Sequence, residues 1–133
     1  MPELQPGTRV TSTVELVRPL GKGGMGSVWV AYHEALDTEV AVKFVATEEA
    51  SDTTVMRFKR EAALSAKLKS PHTVKTFDHG VMDDGQPYIV MELLEGETLG
   101  ARLAREGALS LRDVLVIFVH VSQVLDEAHA LSI

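Results

Sequence analysis

The hydrophobic pattern divides the chain into a strand-rich first part and a helical last part. Short segments rich in β-branched and aromatic residues, bounded by turn residues, are typical of strands; they lie at residues 8–20, 27–34, 39–45, 73–82 and 86–94. Longer segments predict helices at residues 53–69, where apolar positions recur every three or four residues, and at residues 98–105 and 111–131. The pattern therefore predicts five strands with one helix between the third and the fourth, followed by two helices.

The last predicted helix is apolar on every side. Its centre reads V-L-V-I-F-V-H-V, and Ser110 before it is a suitable N-cap. A helix without a polar face is expected inside a packed domain, yet the sequence ends at Ile133. We therefore interpret the chain as a piece of a longer protein, and we expect exposed apolar surface on this helix and a tendency to aggregate.

Composition and charge exclude several classes of site. The 133 residues are 45% hydrophobic and 24% charged, which suits one globular domain. The net charge of −6 argues against a nucleic-acid groove. The absence of cysteine excludes disulfides, thiolate metal sites and a cysteine nucleophile, and the five histidines have no metal-ligand spacing, so no metal site is predicted.

No segment predicts export or membrane insertion. The first residues show no signal-peptide pattern, and the longest apolar run, residues 114–119, is too short to cross a bilayer. We expect a cytoplasmic location for this chain, while a full-length parent could be anchored in a membrane by a segment elsewhere.

A glycine-rich segment at residues 20–28 reads L-G-K-G-G-M-G-S-V and fits G-x-G-x-x-G followed by x-V. Glycines allow backbone N–H groups to approach phosphate oxygens closely. A dinucleotide-binding fold would need a helix after Gly26, but S-V-W-V-A-Y at residues 27–32 predicts a strand. A Walker A loop would need Gly-Lys-Ser/Thr, but Ser27 follows Gly26 directly. The segment is therefore predicted to be a hairpin loop.

A lysine lies at the centre of the next strand, E-V-A-V-K-F-V. A charge inside an apolar strand faces either water or a charged partner. Lys43 is therefore a candidate functional residue one strand after the glycine-rich loop.

These motifs together resemble those of protein kinases, most closely the bacterial serine/threonine kinases of the eukaryotic type. The glycine loop is similar to the kinase loop, V-A-V-K at residues 40–43 to the kinase V-A-I-K motif, and R-E-A at residues 60–62 to the motif that carries the helix glutamate. Residues 88–99 resemble the fifth strand and hinge, and residues 128–133 the end of the helix before the catalytic loop. The resemblance covers residues 14–133.

The resemblance implies a fold and a division of the chain. The fold is of the α+β class, a kinase-like N-lobe with a five-stranded antiparallel sheet and one helix, followed by the first two helices of the helical C-lobe. Residues 1–13 would form an arm and the start of the first strand, residues 14–94 the N-lobe with its ATP-binding loop and hinge, and residues 95–133 a partial C-lobe.

At the phosphate end of the nucleotide, the resemblance implies that Lys43 reaches the α- and β-phosphates of ATP and pairs with Glu61. Lys43 and Glu61 are thus the expected catalytic-site residues. The loop would cover the phosphates with Leu20, Gly21, Lys22, Gly23, Gly24, Met25, Gly26, Ser27 and Val28.

At the adenine end, the resemblance implies that Val28 and Ala41 enclose the ring and that Met91 lies at the back of the pocket. The backbone of Glu92 and Leu94 would form hydrogen bonds with the adenine edge. Further contacts, to the apolar walls and the ribose, are implied for Leu20, Leu99 and Glu97.

The sequence departs from kinases where H-R-D-x-x-x-x-N and D-F-G would follow, because neither motif is present. The catalytic base and the ligands for Mg²⁺ are therefore expected outside this chain. We interpret the chain as the ATP-binding portion of a serine/threonine kinase, inactive alone, whose full-length parent would phosphorylate a protein substrate. The alternatives are a non-catalytic nucleotide-binding or protein-interaction module, and a dinucleotide-binding oxidoreductase with a helix after Gly26.

Overall fold

The computed structural model describes residues 4–23, 26–45 and 52–133. In chain order, these residues form six strands and three helices: β1 (Arg9–Thr11), β2 (Val14–Gly23), β3 (Gly26–His33), β4 (Thr38–Val45), α1 (Asp52–Ser65), β5 (Thr76–Val81), β6 (Pro87–Glu92), α2 (Leu99–Glu106) and α3 (Leu111–Ala130). The predicted kinase-like order, a sheet with one helix followed by two helices, is confirmed.

All six strands of the described residues form one antiparallel sheet in the order β1-β2-β3-β4-β6-β5. The predicted number of five strands is wrong, because the segment predicted as the first strand folds into two. A turn at Ser12 and Thr13 separates β1 from β2. It is stabilised by the Thr11 hydroxyl, which accepts from the Thr13 N–H at 3.2 Å.

One face of the sheet carries the main core. The buried cluster draws residues from five strands: Val10, Val14, Leu16, Trp29, Ala31, Val40, Val42, Phe44, Tyr88 and Val90. Successive residues of a strand point to opposite faces, so the alternation of Val40, Val42 and Phe44 directs Ala41 and Lys43 to the other face. We call that second face the Lys43 face.

The sheet is curled, so that its two ends approach each other. β1 and β5 are the outermost strands, yet Val10 of β1 belongs to the same cluster that Met82, just after β5, packs against. A cavity of about 200 Å³ is lined by Arg9, Val10 and residues 81–84.

The first helix packs against the β5 end of the sheet. α1 contacts β5 and β6, and its Ala62 is buried. It ends at Ser65, four residues before the end of the predicted helix.

The last helix begins at its predicted cap, Ser110, whereas α2 begins one residue later than predicted, because Thr98 is its N-cap. The Thr98 hydroxyl accepts from the Ala101 N–H at 3.1 Å, and Gly107 ends α2 with a φ of 79°. The Ser110 hydroxyl accepts from the Asp113 N–H at 3.1 Å. The predicted exposed apolar surface of α3 is also confirmed, because Leu111 is 75% exposed and Phe118 67%.

The chain forms two compact units. The sheet unit contains residues 1–67 and 74–93, and the helical unit contains residues 68–73 and 94–133. Within the helical unit, the Lys69 N–H donates to the Glu127 carboxylate at 2.6 Å, and the rings of His72 and His120 stack with centroids 3.8 Å apart. The short segment 68–73 thus folds with α3. Across the described ranges, no helix is long and apolar enough to span a membrane.

Candidate functional site

The glycine-rich segment forms the hairpin between β2 and β3. The register pairs Gly21 with Val28, Lys22 with Ser27, and Gly23 with Gly26. A strand therefore follows Gly26, which contradicts the dinucleotide-binding alternative. The predicted contacts of Gly24 and Met25 lie outside the described residues.

Two glycines of this hairpin have different structural requirements. Gly26 has a φ of 132°, and a Cβ there would lie 1.9 Å from the Phe44 carbonyl oxygen of β4. A Cβ on Gly21 would have no described atom within 4 Å. Gly26 is thus required by the approach of β3 to β4, whereas the space beside Gly21 is open to a ligand.

The strand register brings the predicted adenine and phosphate contacts onto the Lys43 face. Lys43 pairs with Val28 of β3, and Ala41 pairs with Met91 of β6. Residues directly opposite each other in a sheet share a face. Val28, Ala41, Lys43 and Met91 therefore lie together across three adjacent strands. Ser27 pairs with Phe44 and so lies on the opposite face.

The Lys43 face offers a small apolar surface beside a cation. Ala41 is 5% exposed, and Val28, Met91 and Lys43 are half-buried. Leu20, at a bulge of β2, is 51% exposed. A half-buried lysine therefore lies beside apolar side chains on this face.

The predicted partner of Lys43 belongs to α1. Glu61 lies within this helix, but its side chain is outside the described part of the structure. The Lys43–Glu61 ion pair therefore stays a prediction.

The end of β6 contains a hydrogen-bond pattern that the amino-acid sequence does not indicate. The Glu92 N–H donates to the Lys75 carbonyl at 2.9 Å, and the Glu92 carboxylate accepts from the Lys75 N–H at 2.7 Å. Hydrophobic periodicity cannot reveal such a pattern, because one partner contributes only its backbone. Leu94 lies in the helical unit and is 63% exposed.

Glu97, the candidate ribose contact, is paired within the helical unit. Its carboxylate accepts from Arg105 Nε at 3.3 Å and also from the Arg105 Nη2 group. This hydrogen bonding raises the pKa of Arg105 above its ordinary value. The ribose contact of Glu97 stays a prediction.

A metal site is not found in the part of the chain that the structure describes. There, no group of three or more histidine, aspartate or glutamate side chains could hold a metal ion.

Comparison with known proteins identifies the family. The family model for the protein kinase domain matches residues 14–133. The chain is 40% identical over 116 residues to serine/threonine-protein kinase PknH of Mycobacterium tuberculosis, covering 86% of this chain and 18% of that protein. It is 36% identical over 124 residues to serine/threonine-protein kinase PrkC of Bacillus subtilis, covering 92% and 19% respectively.

Comparison with solved structures indicates the same family. The crystal structure of the M. tuberculosis PknI kinase domain is similar with a TM-score of 0.84 and 32% identity, covering 96% of this chain and 51% of that one. The chain thus spans 18% and 19% of the two curated relatives named above and 51% of the solved kinase domain. The predicted resemblance is confirmed: the chain belongs to the protein kinase domain family and is similar to its bacterial serine/threonine members.

Proposed function

We propose that the chain binds ATP on the Lys43 face, as the nucleotide-binding portion of a serine/threonine protein kinase. The observation that carries this proposal is the register, which aligns Val28 and Ala41 beside Lys43 on one face. Ala41 and Lys43 are two residues apart, or about 7 Å along the strand. That spacing suits a ligand with an apolar ring at one end and anionic groups at the other.

The phosphates would lie at the glycine-rich end of this face. Backbone N–H groups of residues 20–28 would donate to phosphate oxygens, and the open space beside Gly21 leaves room for that approach. Lys43 would add a positive charge on a flexible stem, which suits a phosphate. We propose that Glu61 of α1 orients this ammonium group.

The adenine ring would lie over Ala41 and Val28. Both side chains are small enough to leave a flat apolar contact. Met91 of β6 lies opposite Ala41 on the same face. We propose that the backbone groups of Glu92 and Leu94 bond the adenine edge, so that the base is recognised by peptide groups.

The activity of the whole protein is part of the proposal. The matched relatives are named serine/threonine-protein kinases, and we propose the same phosphoryl transfer from ATP to protein serine or threonine for the full-length parent. Mg²⁺ would neutralise phosphate charge in that reaction. The 133-residue sequence contains neither H-R-D nor D-F-G, so we expect this chain to bind ATP without transferring its phosphate.

The test is calorimetric titration with ATP and Mg²⁺. Lys43→Met keeps most of the length of the side chain and removes its charge. We expect ATP to bind at least about tenfold more weakly, which corresponds to the loss of one charged hydrogen bond. The matched control is Lys67→Met, an exposed lysine after α1, which should bind like the unmodified chain. Equal binding by the Lys43→Met variant would contradict the proposal.

A further inference from the structure

Glu92 and Lys75 are joined by two hydrogen bonds of different kinds. One is an ordinary backbone bond from the Glu92 N–H to the Lys75 carbonyl, at 2.9 Å. The other runs from the Lys75 N–H to the Glu92 side-chain carboxylate, at 2.7 Å. Both residues belong to the sheet unit, so the pattern is a feature of the sheet itself.

The second bond replaces one that a regular ladder would contain. In a hydrogen-bonded pair of antiparallel strands, the two residues exchange both N–H···O=C bonds. Here the Glu92 carboxylate takes the place of the Glu92 carbonyl as the acceptor for Lys75. Glu92 thus accepts from the Lys75 N–H with its side chain, and its backbone carbonyl does not take part in that hydrogen bond.

We propose that the Glu92 carboxylate is a positioning residue that keeps the Glu92 carbonyl available to the amino group of adenine. The inference rests on the proposed function, because it assigns a ligand to that carbonyl. The chemistry fits adenine, which presents an amino donor at this edge, where guanine presents a carbonyl acceptor. A free Glu92 carbonyl would accept a hydrogen bond from the adenine amino group and would repel the guanine carbonyl.

The consequence of losing the carboxylate follows from the geometry. With Glu92→Ala, the Lys75 N–H loses its acceptor, and the nearest replacement is the Glu92 carbonyl of the regular pair. The backbone carbonyl of residue 92 would then accept from the Lys75 N–H and would no longer be available to the amino group of adenine. Glu92→Gln retains a side-chain oxygen that can accept from Lys75, so it should preserve the arrangement.

The experiment compares ATP with inorganic tripolyphosphate, which has the phosphates but no base. We expect Glu92→Ala to bind ATP roughly tenfold more weakly, the value of one hydrogen bond, and to bind tripolyphosphate unchanged. Glu92→Gln should bind both like the unmodified chain. The control Glu39→Ala removes an exposed carboxylate at the start of β4 and should also bind both normally.

The acceptor itself can be observed by nuclear magnetic resonance. Scalar coupling across the hydrogen bond should connect the Lys75 amide nitrogen to the side-chain carboxyl carbon of Glu92 in the unmodified chain. In Glu92→Ala it should connect to the backbone carbonyl of residue 92 instead. General loss of structure would weaken both ligands equally and would not move the coupling from one carbon to another.

The outcomes separate this inference from the proposed function. If the unmodified chain binds ATP and Glu92→Ala binds it equally well, the positioning role is wrong while the ATP site stands. An equal weakening toward ATP and tripolyphosphate would also overturn the positioning role. If the unmodified chain and Lys43→Met both fail to bind ATP, the proposed function and the inference are overturned together.

Discussion

Gly26 and Gly21 belong to the same loop motif, but their backbones meet different demands. Gly26 combines a positive φ with a close approach to the Phe44 carbonyl of β4. A side chain on Gly21 would begin where none of the described atoms lies within 4 Å. The motif therefore joins a glycine needed by the sheet to a glycine whose surroundings leave room for a ligand.

Substitution by alanine should separate these two roles. We expect Gly26→Ala to lower the free energy of unfolding by about 2 to 5 kcal/mol, since backbone strain and displacement of β4 both contribute. Gly21→Ala should change it by less than about 1 kcal/mol, as expected for a surface position without a clash. Urea denaturation of both variants tests this, and equal destabilisation would contradict it.

At the residue scale, the resemblance to kinases named Val28, Ala41, Lys43 and Met91 as site residues. The strand register brings these four onto one face, and their contacts with a nucleotide stay predictions. The acceptor role of the Glu92 side chain could not be predicted, because it depends on the backbone of Lys75, seventeen residues earlier. Local patterns carry no information on such a contact.

At the element scale, a glycine of β5 lies opposite a tyrosine of β6. Gly80 pairs with Tyr88, and a Cβ at Gly80 would lie 2.7 Å from the Tyr88 hydroxyl. Tyr88 is 8% exposed. Its burial, with a smaller contribution from the charge of Asp78, raises the pKa of the hydroxyl above its ordinary value.

This raised pKa predicts a loss of stability at alkaline pH. The folded state favours the neutral hydroxyl, so this stabilisation is fully present below the ordinary tyrosine pKa of about 10 and is lost as the pH rises through the raised pKa of the folded state. Thermal unfolding of Tyr88→Phe should therefore depend less on pH above about 10 than that of the unmodified chain.

The second tyrosine provides the control for this measurement. Tyr32 donates to the Asp37 carboxylate, and this hydrogen bond also raises the pKa of Tyr32. The Tyr32→Phe variant leaves Tyr88 as the only tyrosine. If the unfolding of Tyr32→Phe depends on pH above about 10 no more than that of the double variant Tyr32→Phe/Tyr88→Phe, the role of Tyr88 burial is wrong.

The boundary between β1 and β2, which made the predicted number of strands wrong, is also set at the level of whole elements. The segment from Thr11 to Val14 reads T-S-T-V and lacks glycine, proline, asparagine and aspartate, so it carries none of the strong turn signals. A hydroxyl of Thr11 closes the turn instead, while the longer register with β3 holds β2 in place. The pairing of β2 with β3, and not the local sequence, therefore determines where β1 ends and β2 begins.

At the scale of the whole molecule, the apolar surface of α3 should govern behaviour in solution. Leu111, Leu115, Phe118 and Val119 are each more than half exposed. We expect concentration-dependent self-association in sedimentation velocity. Phe118→Glu should weaken it by at least about tenfold, since burying one large apolar side chain is worth about 2 kcal/mol.

The matched control is Gln123→Glu, which adds the same charge at an exposed polar position of α3. It should associate like the unmodified chain. A monomer at every concentration would contradict the expected association and would favour the alternative of a self-contained interaction module.

The pairing of residues 68–73 with α3 has a consequence for dissecting the molecule. This segment lies between two stretches of the sheet unit in sequence, yet it belongs to the helical unit. The two units are therefore interleaved along the polypeptide. A polypeptide cut after Leu93 would retain Lys69 and His72 while losing Glu127 and His120, their hydrogen-bond and stacking partners. Neither fragment would then contain both partners of these two contacts. Co-expression of the fragments, followed by their reassembly, is therefore the better route to studying each unit.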